Sequence, residues 1–169
     1  PMISPGGNFI YWYNPADTAW YTFEIATSAE YRVTTPRTIN CADELNDTPN
    51  LPGSYRLAGW LKNDEALLIY DRFDIWKVSS RNLFDAQNIT QTGRTNSTEY
   101  RIIRFDEEPA QARQNRDSEE AIDTSKPLLM LGHNEITRGD GFYLLDCNKP
   151  GEIATLLAGN FKLSRPKKA

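Results

Sequence analysis

Short apolar and aromatic runs, separated by polar turns, recur along this chain. The clearest stretch spans residues 55–78 and reads YRLAGWLKNDEALLIYDRFDIWKV. Its three runs are divided by a polar turn at residues 62–65 and by the pair Asp71-Arg72. Runs of about five to eight residues between tight polar turns predict an antiparallel meander of three strands. Because so few strands bury too little surface to fold alone, the stretch needs neighbours of the same kind.

The same alternation of strand and turn is predicted on both sides of this stretch. Upstream strands are expected at residues 8–13, 19–25 and 30–34. Downstream strands are expected at residues 87–90, 99–105, 127–131, 142–146 and 153–157, and residues 161–163 are expected to open a further unit. No apolar face with a helical period interrupts this pattern. The sequence therefore predicts an all-β fold.

Two long polar stretches interrupt the strands. Residues 36–54 contain three prolines and little periodicity, and residues 106–126 are charged and rich in Gln. Loops of this length inside a compact domain are usually functional or inserted. We predict two loop insertions, the second with a helical turn as one interpretation.

Three segments of the chain repeat one pattern. They read FIYWYNPADTAWYTFEI, ALLIYDRFDIWKV and LLMLGHNEITRGDGFYLLD, each an apolar strand, a turn, and a strand with paired large residues. The repeat length is close to the roughly 40 to 50 residues of a propeller blade. The pattern predicts one partial domain over residues 1–169, with about three antiparallel four-stranded blades of an incomplete β-propeller at 1–35, 55–92 and 98–160. An ordinary β-sandwich is the alternative.

Composition and charge narrow the classes of partner. The 169 residues carry a net charge of -4, with a pI of about 5.1. An acidic protein is not expected to track nucleic-acid phosphates. The basic cluster at residues 165–168 is interpreted as a solvated strand end. No run approaches the roughly 18 apolar residues of a membrane-spanning helix, and the chain starts as if cut from within a longer protein.

One ordered string of motifs resembles a known family. The run NDTPNLPGSYRLAGWLKNDEALLIYDRFDIWKV is similar to the N-terminal propeller of bacterial serine peptidases of the prolyl oligopeptidase and dipeptidyl peptidase family. QNIT at residues 87–90, AIDTSKPLLML at 121–131 and the closing NFKLSRPKKA are similar too. The resemblance covers nearly the whole chain. It is closest to large exported or surface-associated proteins of Bacteroides-type bacteria.

The resemblance implies a division of labour in a parent protein. Catalysis would belong to a separate C-terminal α/β-hydrolase domain with Ser, Asp and His. The propeller would cover that site and admit peptides but not folded proteins. The parent is expected to be periplasmic, outer-membrane-associated or secreted. A non-enzymatic periplasmic or surface scaffold of TolB-like type is the alternative, and a sugar-binding module is a weaker one. An isolated arc of blades is also expected to self-associate through unpaired edges.

Catalytic chemistry is not expected in this chain. The nucleophile motif G-x-S-x-G does not occur in it, and neither do the glycine-rich phosphate-binding motifs. The one histidine, His133, lies between a predicted strand and a predicted turn, and is interpreted as a hairpin-turn residue. One His and two Cys do not make a zinc site. We expect no catalytic residue, no metal and no cofactor.

Two acidic pairs, Glu107-Glu108 and Glu119-Glu120, are the candidates for substrate contact. In dipeptidyl-peptidase relatives, a Glu pair from the propeller grips the free amino terminus of the substrate. Paired carboxylates suit an ammonium group because they supply charge and several acceptors. Both pairs lie in the second polar stretch, and their surroundings do not match the family motif. A solvated loop is the default interpretation, with Glu119 and Glu120 as weak substrate-binding candidates.

Three other sets of residues leave alternatives open. Cys41 and Cys147 are interpreted as semi-buried thiols, and a disulfide between them is possible if the parent is exported. Asp71 and Arg72 are interpreted as capping and pairing around a turn between two strands, and the alternative is a calcium or salt-bridge site formed by Asp71, Arg72 and Asp74. The tryptophans are expected to pack between blades rather than to stack on sugars; they are Trp12, Trp20, Trp60 and Trp76.

Overall fold

The described part of the chain is built from three four-stranded sheets. A computed structural model describes residues 1–104 and 120–164. Sheet 1 contains β1 (Met2–Ile3), β2 (Phe9–Asn14), β3 (Ala19–Glu24) and β4 (Ala29–Arg32). Sheet 2 contains β5 (Leu57–Trp60), β6 (Ala66–Tyr70), β7 (Ile75–Ser79) and β8 (Ala86–Asn88), with a short 3-10 turn at Lys62–Asp64. Sheet 3 contains β9 (Thr98–Ile102), β10 (Leu128–Asn134), β11 (Asp140–Leu145) and β12 (Ile153–Gly159).

The predicted all-β fold of antiparallel four-stranded sheets is confirmed. In each sheet the strands pair in chain order, so that each is a simple meander. No sheet of the described residues closes into a barrel, which is consistent with incomplete, propeller-like blades. The second polar stretch, for which a helical turn is one interpretation, lies largely at residues 106–119, outside the described residues, and its described part, residues 120–126, contains no helix.

Several local predictions need correction. The two-residue strand β1 was not expected, because so short a run carries no alternation. The last strand of sheet 2 is Ala86–Asn88 rather than residues 87–90. Residues 161–163 open no strand. Instead, Asp140 N donates to Phe161 O and Leu163 N donates to Asp140 Oδ2, which holds this segment against its own sheet.

Strand β6 explains how the sheets stack. All five of its residues are buried, because alternate side chains enter two different cores. Leu67 and Ile69 belong to the core between sheets 1 and 2, whereas Leu68 and Tyr70 belong to the core between sheets 2 and 3. Side chains of a strand alternate between its two faces. Sheet 2 is therefore the middle layer of a stack of three.

The two cores differ in composition. The core between sheets 1 and 2 is rich in aromatic rings, and Trp60 packs against both Phe9 and Tyr11, with ring centroids 5.6 and 5.3 Å away. The buried residues of this core are Phe9, Tyr11, Trp20, Val33, Ile39, Cys41, Trp60, Leu67, Ile69 and Val78. The core between sheets 2 and 3 is mostly aliphatic: Ala58, Leu61, Ala66, Leu68, Tyr70, Ile75, Ile89, Tyr100, Ile122, Met130, Leu145 and Cys147.

The meander places the turns of each sheet alternately at its two ends. The turn between the first and second strands is called the first turn here, and the turn between the second and third strands the second turn. Since neighbouring strands run antiparallel, these two turns lie at opposite ends of a sheet. Contacts between the sheets join turns of the same kind. Ser4 and Asp64 join the first turns of sheets 1 and 2, and Arg72 and Glu135 join the second turns of sheets 2 and 3.

Candidate functional site

The first turns of the three sheets meet at one end of the stack. The side chain of Asp64, in the first turn of sheet 2, is bonded to the turn of sheet 1 through Ser4 Oγ at 2.7 Å. On its other side, Ile122 N donates to Trp60 O at 2.7 Å, which joins the segment before β10 to the end of β5. These contacts make one continuous rim from three separate turns.

Asp64 is the anchor of this rim. Its side chain is almost fully buried, with 1% exposure for the residue. Besides Ser4 Oγ, it accepts bonds from Gly6 N at 3.0 Å and from Asn8 through both its backbone N and its side-chain Nδ2, at 3.2 and 3.0 Å. A buried carboxylate is costly unless hydrogen bonds replace its water. The four donors meet that need and fix the turn of sheet 1 over sheet 2.

The backbone around Asp64 is shaped to make this contact. Asn63 and Asp64 have φ values of 59° and 54°, in the left-handed region that Asn and Asp tolerate better than most residues. Across the contact, a Cβ on Gly6 would lie 2.6 Å from Asp64 Oδ2. Only glycine lets the backbone of the sheet 1 turn approach the carboxylate this closely.

An open depression of about 680 Å³ lies on this rim. Five of its eight lining residues have polar or charged side chains, although more of the exposed lining surface is apolar than polar; the lining residues are Pro5, Gly6, Asn8, Lys62, Asn63, Asp64, Glu120 and Ala121. Amides, an ammonium group and a carboxylate are therefore available together beside an exposed backbone turn. Such a mixed, open lining can contact both the backbone and the side chains of an extended chain, whereas compact apolar ligands prefer enclosed, mostly apolar pockets.

Glu120 is the sequence candidate that this depression contains. Its residue is exposed, and its backbone carbonyl accepts a bond from Arg104 Nη2. Nearby, Lys62 Nζ lies 3.2 Å from Asp123 Oδ1. Bonds from Ser125 and the neighbouring Lys62 lower the pKa of Asp123 to about 2. Glu120 is thus an exposed acidic residue at the rim. The lysine that lines the same depression, Lys62, is paired with Asp123.

The other acidic candidates cannot be placed beside Glu120. Glu119 and the pair Glu107-Glu108 lie outside the described residues. Whether Glu119 and Glu120 act as a pair stays a prediction.

No known protein family, curated protein or solved structure matches the chain. Within residues 1–104 and 120–164, no helix has the length and apolar character needed to cross a membrane. Function must accordingly be inferred from the sequence and from the arrangement of these side chains.

Ion pairs dominate the opposite end of the stack. Arg72, in the second turn of sheet 2, makes a bidentate bond to Glu135 in sheet 3, with Nη2 2.8 Å from Oε1 and 2.9 Å from Oε2. Arg94 pairs with Glu44 at 2.6 Å, which ties the first long loop to the connection between sheets 2 and 3. Charge cross-links this end, and at the first-turn end Arg81 of sheet 2 likewise pairs with Glu24 of sheet 1, while Glu120 stays open.

The two acidic residues of the DRFD turn, Asp71 and Asp74, accept hydrogen bonds from the surrounding backbone. Asp71 accepts bonds from Phe73 N, Asp74 N and Trp76 Nε1, at 2.8, 2.5 and 3.1 Å. Asp74 accepts bonds from the connection to sheet 3, including Gly93 N at 2.8 Å. The capping role expected of Asp71 agrees with its contacts. The expected pairing of Asp71 with Arg72 does not, because Arg72 turns to Glu135 instead. In the described part of the chain no acidic, His and Cys cluster forms a metal site.

His133 lies inside strand β10, so its assignment to a hairpin turn was wrong. Its neighbours across the strands are Glu99 on β9 and Asp140 on β11. His133 Nδ1 lies 2.7 Å from Asp140 Oδ1, and Lys162 Nζ lies 3.2 Å from the same nitrogen. Bonds from Leu163 and His133 lower the pKa of Asp140. This cluster fastens the segment after β12 to sheet 3.

Glu99 and Glu135 form a coupled carboxyl pair beside that cluster. Burial and a hydrogen bond to Glu135 raise the pKa of Glu99. The hydrogen bond from Arg72 lowers the pKa of Glu135. The lowered pKa favours the charged form of Glu135, which suits its ion pair with Arg72.

The cysteines are free and buried. Cys41 belongs to the core between sheets 1 and 2, and Cys147 to the core between sheets 2 and 3. Burial raises the pKa of Cys147 to about 11 and also raises that of Cys41. Both behave as core side chains, in keeping with the interpretation as thiols.

Three of the four tryptophans pack between sheets. Trp20 and Trp60 are buried in the aromatic core, and Trp76 packs against its edge. Trp12 differs, because it lies on the outer face of sheet 1, stacked on Tyr21 with ring centroids 5.6 Å apart. Core packing thus accounts for three of them and not for the fourth.

The residue that organises the rim, Asp64, was not a sequence candidate. Its partners lie 56 to 60 residues away along the chain, so no local pattern reveals them. The available signal was the glycine pair at residues 6–7 beside Asn8, which predicts a tight turn but not its contact with an acid.

Proposed function

We propose that this chain is the non-catalytic propeller part of a serine peptidase of the prolyl oligopeptidase family. In that role it gates the access of peptides to a hydrolase domain outside these 169 residues. The parent would be an exported protein, periplasmic, outer-membrane-associated or secreted. The chain itself would supply no nucleophile and no general base.

The observation that carries this proposal is the position of the family-like string. Residues 46–78 resemble the family, and their strands are the first three of sheet 2, which packs on both faces against sheets of the same kind. Stacked meanders of this type are the unit of a propeller. The open depression at the first-turn end is a second support, since a gate must present hydrogen-bonding groups to passing peptides and five of the lining residues have polar or charged side chains.

A hydrolysis assay tests the absence of catalysis. Chromogenic dipeptides ending in proline or alanine are incubated with the purified chain, and release of the chromophore is followed. We expect no rate above the buffer background. Hydrolysis that disappears when one residue of this chain is changed to Ala would refute the proposal.

The coding sequence downstream of Ala169 separates the proposal from its main alternative. A G-x-S-x-G motif followed by Asp and His is expected for the peptidase. A stop codon after further propeller-like sequence, without these residues, would favour the scaffold of TolB-like type.

Glu120 allows a test of substrate contact. A peptide with a free amino terminus and the same peptide with an acetylated terminus are titrated into the chain and into its Glu120→Gln variant. If Glu120 contributes to amine anchoring, the free peptide binds more tightly and this preference shrinks in the variant. Equal binding of both peptides to both proteins would leave Glu120 as a solvated loop residue.

A further inference from the structure

Sheet 1 has an apolar outer face that no described strand covers. Residue pairs opposite each other on neighbouring strands share a face, and here these pairs are Trp12 with Tyr21 and Ile10 with Phe23. All four side chains are only half-buried. The rings of Trp12 and Tyr21 are stacked, 9° from parallel. This outer face is the side of sheet 1 turned away from sheet 2.

Sheet 3 has a matching outer face on the other side of the stack. Leu131 lies opposite Phe142, and Phe142 lies opposite Leu157 on the last strand. Leu129 and Leu144 form the next pair on the same face. Leu129, Leu131, Phe142 and Leu144 are half-buried, and Leu157 is 49% exposed. No described strand covers this face either.

The two outer faces are the two halves of a contact that the chain makes twice internally. Each sheet has a forward face, on the side of the next sheet along the chain, and a backward face, on the side of the preceding one. In both internal contacts, the forward face of one sheet packs on the backward face of the next sheet. The outer face of sheet 3 is a forward face, and the outer face of sheet 1 is a backward face. The faces can therefore pair with each other, but only between two copies of the chain.

Charge at the second turns favours the same pairing. Between sheets 2 and 3, the second turns are joined by Arg72 and Glu135. The second turn of sheet 3 carries an exposed Arg138, and that of sheet 1 an exposed Asp17. Asp17 is held in place by Asn14 and by the hydroxyl of Tyr21, at 2.6 and 3.0 Å. A head-to-tail contact would bring this arginine and this aspartate to corresponding positions.

We propose that two copies of this chain associate head to tail, with the outer face of sheet 3 of each copy on the outer face of sheet 1 of the other. With three sheets from each copy, the ring contains six. Closed propellers have typically 4–8 blades, so two copies fit and three copies would exceed that range. The contact is heterologous, yet two equivalent contacts close the assembly. This inference rests on the fold and not on the proposed peptidase role.

Sedimentation equilibrium of the purified chain tests the ring. The expected mass is twice that of the 19.3 kDa chain, with no larger species as the concentration rises. Trp12→Glu places a charge in the face of sheet 1, and Leu131→Glu does so in the face of sheet 3. Each variant alone is expected to be monomeric, and an equimolar mixture of the two regains association through its one intact contact. Leu51→Glu, at an exposed leucine of the first long loop, is the matched control and remains dimeric.

Charge reversal at the turns provides a second set of variants that leave the buried residues untouched. Arg138→Glu and Asp17→Arg are each expected to weaken the dimer several-fold, and the variant with both changes regains affinity. Circular dichroism checks that every variant is folded. A monomeric wild-type chain, growth beyond the dimer, or a dimer that Trp12→Glu abolishes and Leu131→Glu leaves intact would each overturn the proposal.

Discussion

The middle sheet and the outer sheets bury their second strands differently. In β6 every residue is buried, whereas in β2 and β10 buried residues alternate with half-buried ones. The sequences FIYWY and ALLIY are both continuous apolar runs. A run of this kind is typical of a strand covered on both faces. The outer sheets thus have apolar side chains on both faces. Within the described residues, however, only the middle sheet packs against another sheet on both of its faces.

The largest expected difference between the middle and outer sheets is in the unfolding free energy that is lost when a buried side chain is truncated. Leu68→Ala is expected to lower the free energy of unfolding by about 2–5 kcal/mol, because Leu68 is fully buried between sheets 2 and 3. Leu131→Ala, on the outer face of sheet 3, is expected to cost less than about 1.5 kcal/mol, because removing partly exposed atoms loses less transfer energy. Urea denaturation in the Trp12→Glu background excludes any contribution from association. Equal losses would contradict the layered arrangement.

The anchor between the first turns of sheets 1 and 2 should have the next largest effect. Asp64→Asn replaces one acceptor oxygen by an amide nitrogen that faces donors, so about 1–3 kcal/mol of unfolding free energy should be lost. Asp123→Asn, an exposed carboxylate of the same rim, is the control and should have a much smaller effect. Thermal or urea denaturation measures both. A control that is as damaging as Asp64→Asn would argue against the role of burial.

The ion pair between the second turns should contribute less. A double-mutant cycle with Arg72→Gln and Glu135→Gln is expected to give a coupling energy of roughly 0.5–1 kcal/mol, since both side chains remain partly exposed. The same cycle on Lys149 and Asp146, which are 3.9 Å apart within one turn, provides the comparison and should approach zero. A coupling energy near zero for the first pair would mean that charge does not join sheets 2 and 3.

The smallest expected effect is a change in pH dependence at Glu99. Burial raises its pKa in the folded state, so its contribution to stability is complete below the unfolded pKa of about 4.3 and is lost as the pH rises through the folded pKa. Glu99→Gln does not titrate there, and its stability relative to wild type should therefore improve with rising pH. Glu135, whose pKa is lowered, should give the opposite slope when changed to Gln: its contribution is present above about pH 4.3 and is lost as the pH falls. Parallel pH profiles for wild type and both variants would contradict the coupled pair.

The strands and turns of the three sheets could be predicted from the sequence because their signals lie within a few consecutive residues. The runs around Trp20, Ile69 and Phe142 all became central strands, since alternating apolar residues at short spacing dictate a strand wherever it packs. His133 was misplaced because Gly132 and Asn134 resemble turn residues, whereas the pairing with Asp140 and Glu99 keeps this segment in the sheet.

The rim could not be predicted in the same way. Asp64 lies in a turn that reads as solvated, and only the approach of Ser4 and Asn8 from another sheet makes it a buried anchor. Glu120 was identified as an acidic candidate, but the depression around it is made by three turns that the sequence does not bring together. Contacts between sheets depend on the whole stack and leave no short-range signal.

Hydrogen exchange tests the central claim, that sheet 2 is the middle of three stacked sheets, most directly. The measurement uses the Leu131→Glu chain, in which the outer faces are expected to be free. Amides of β6 should exchange most slowly, and those of β2 and β10 should exchange faster, because each outer sheet is covered on one face only. Faster exchange in β6 than in β2 and β10 would contradict the three-layer arrangement.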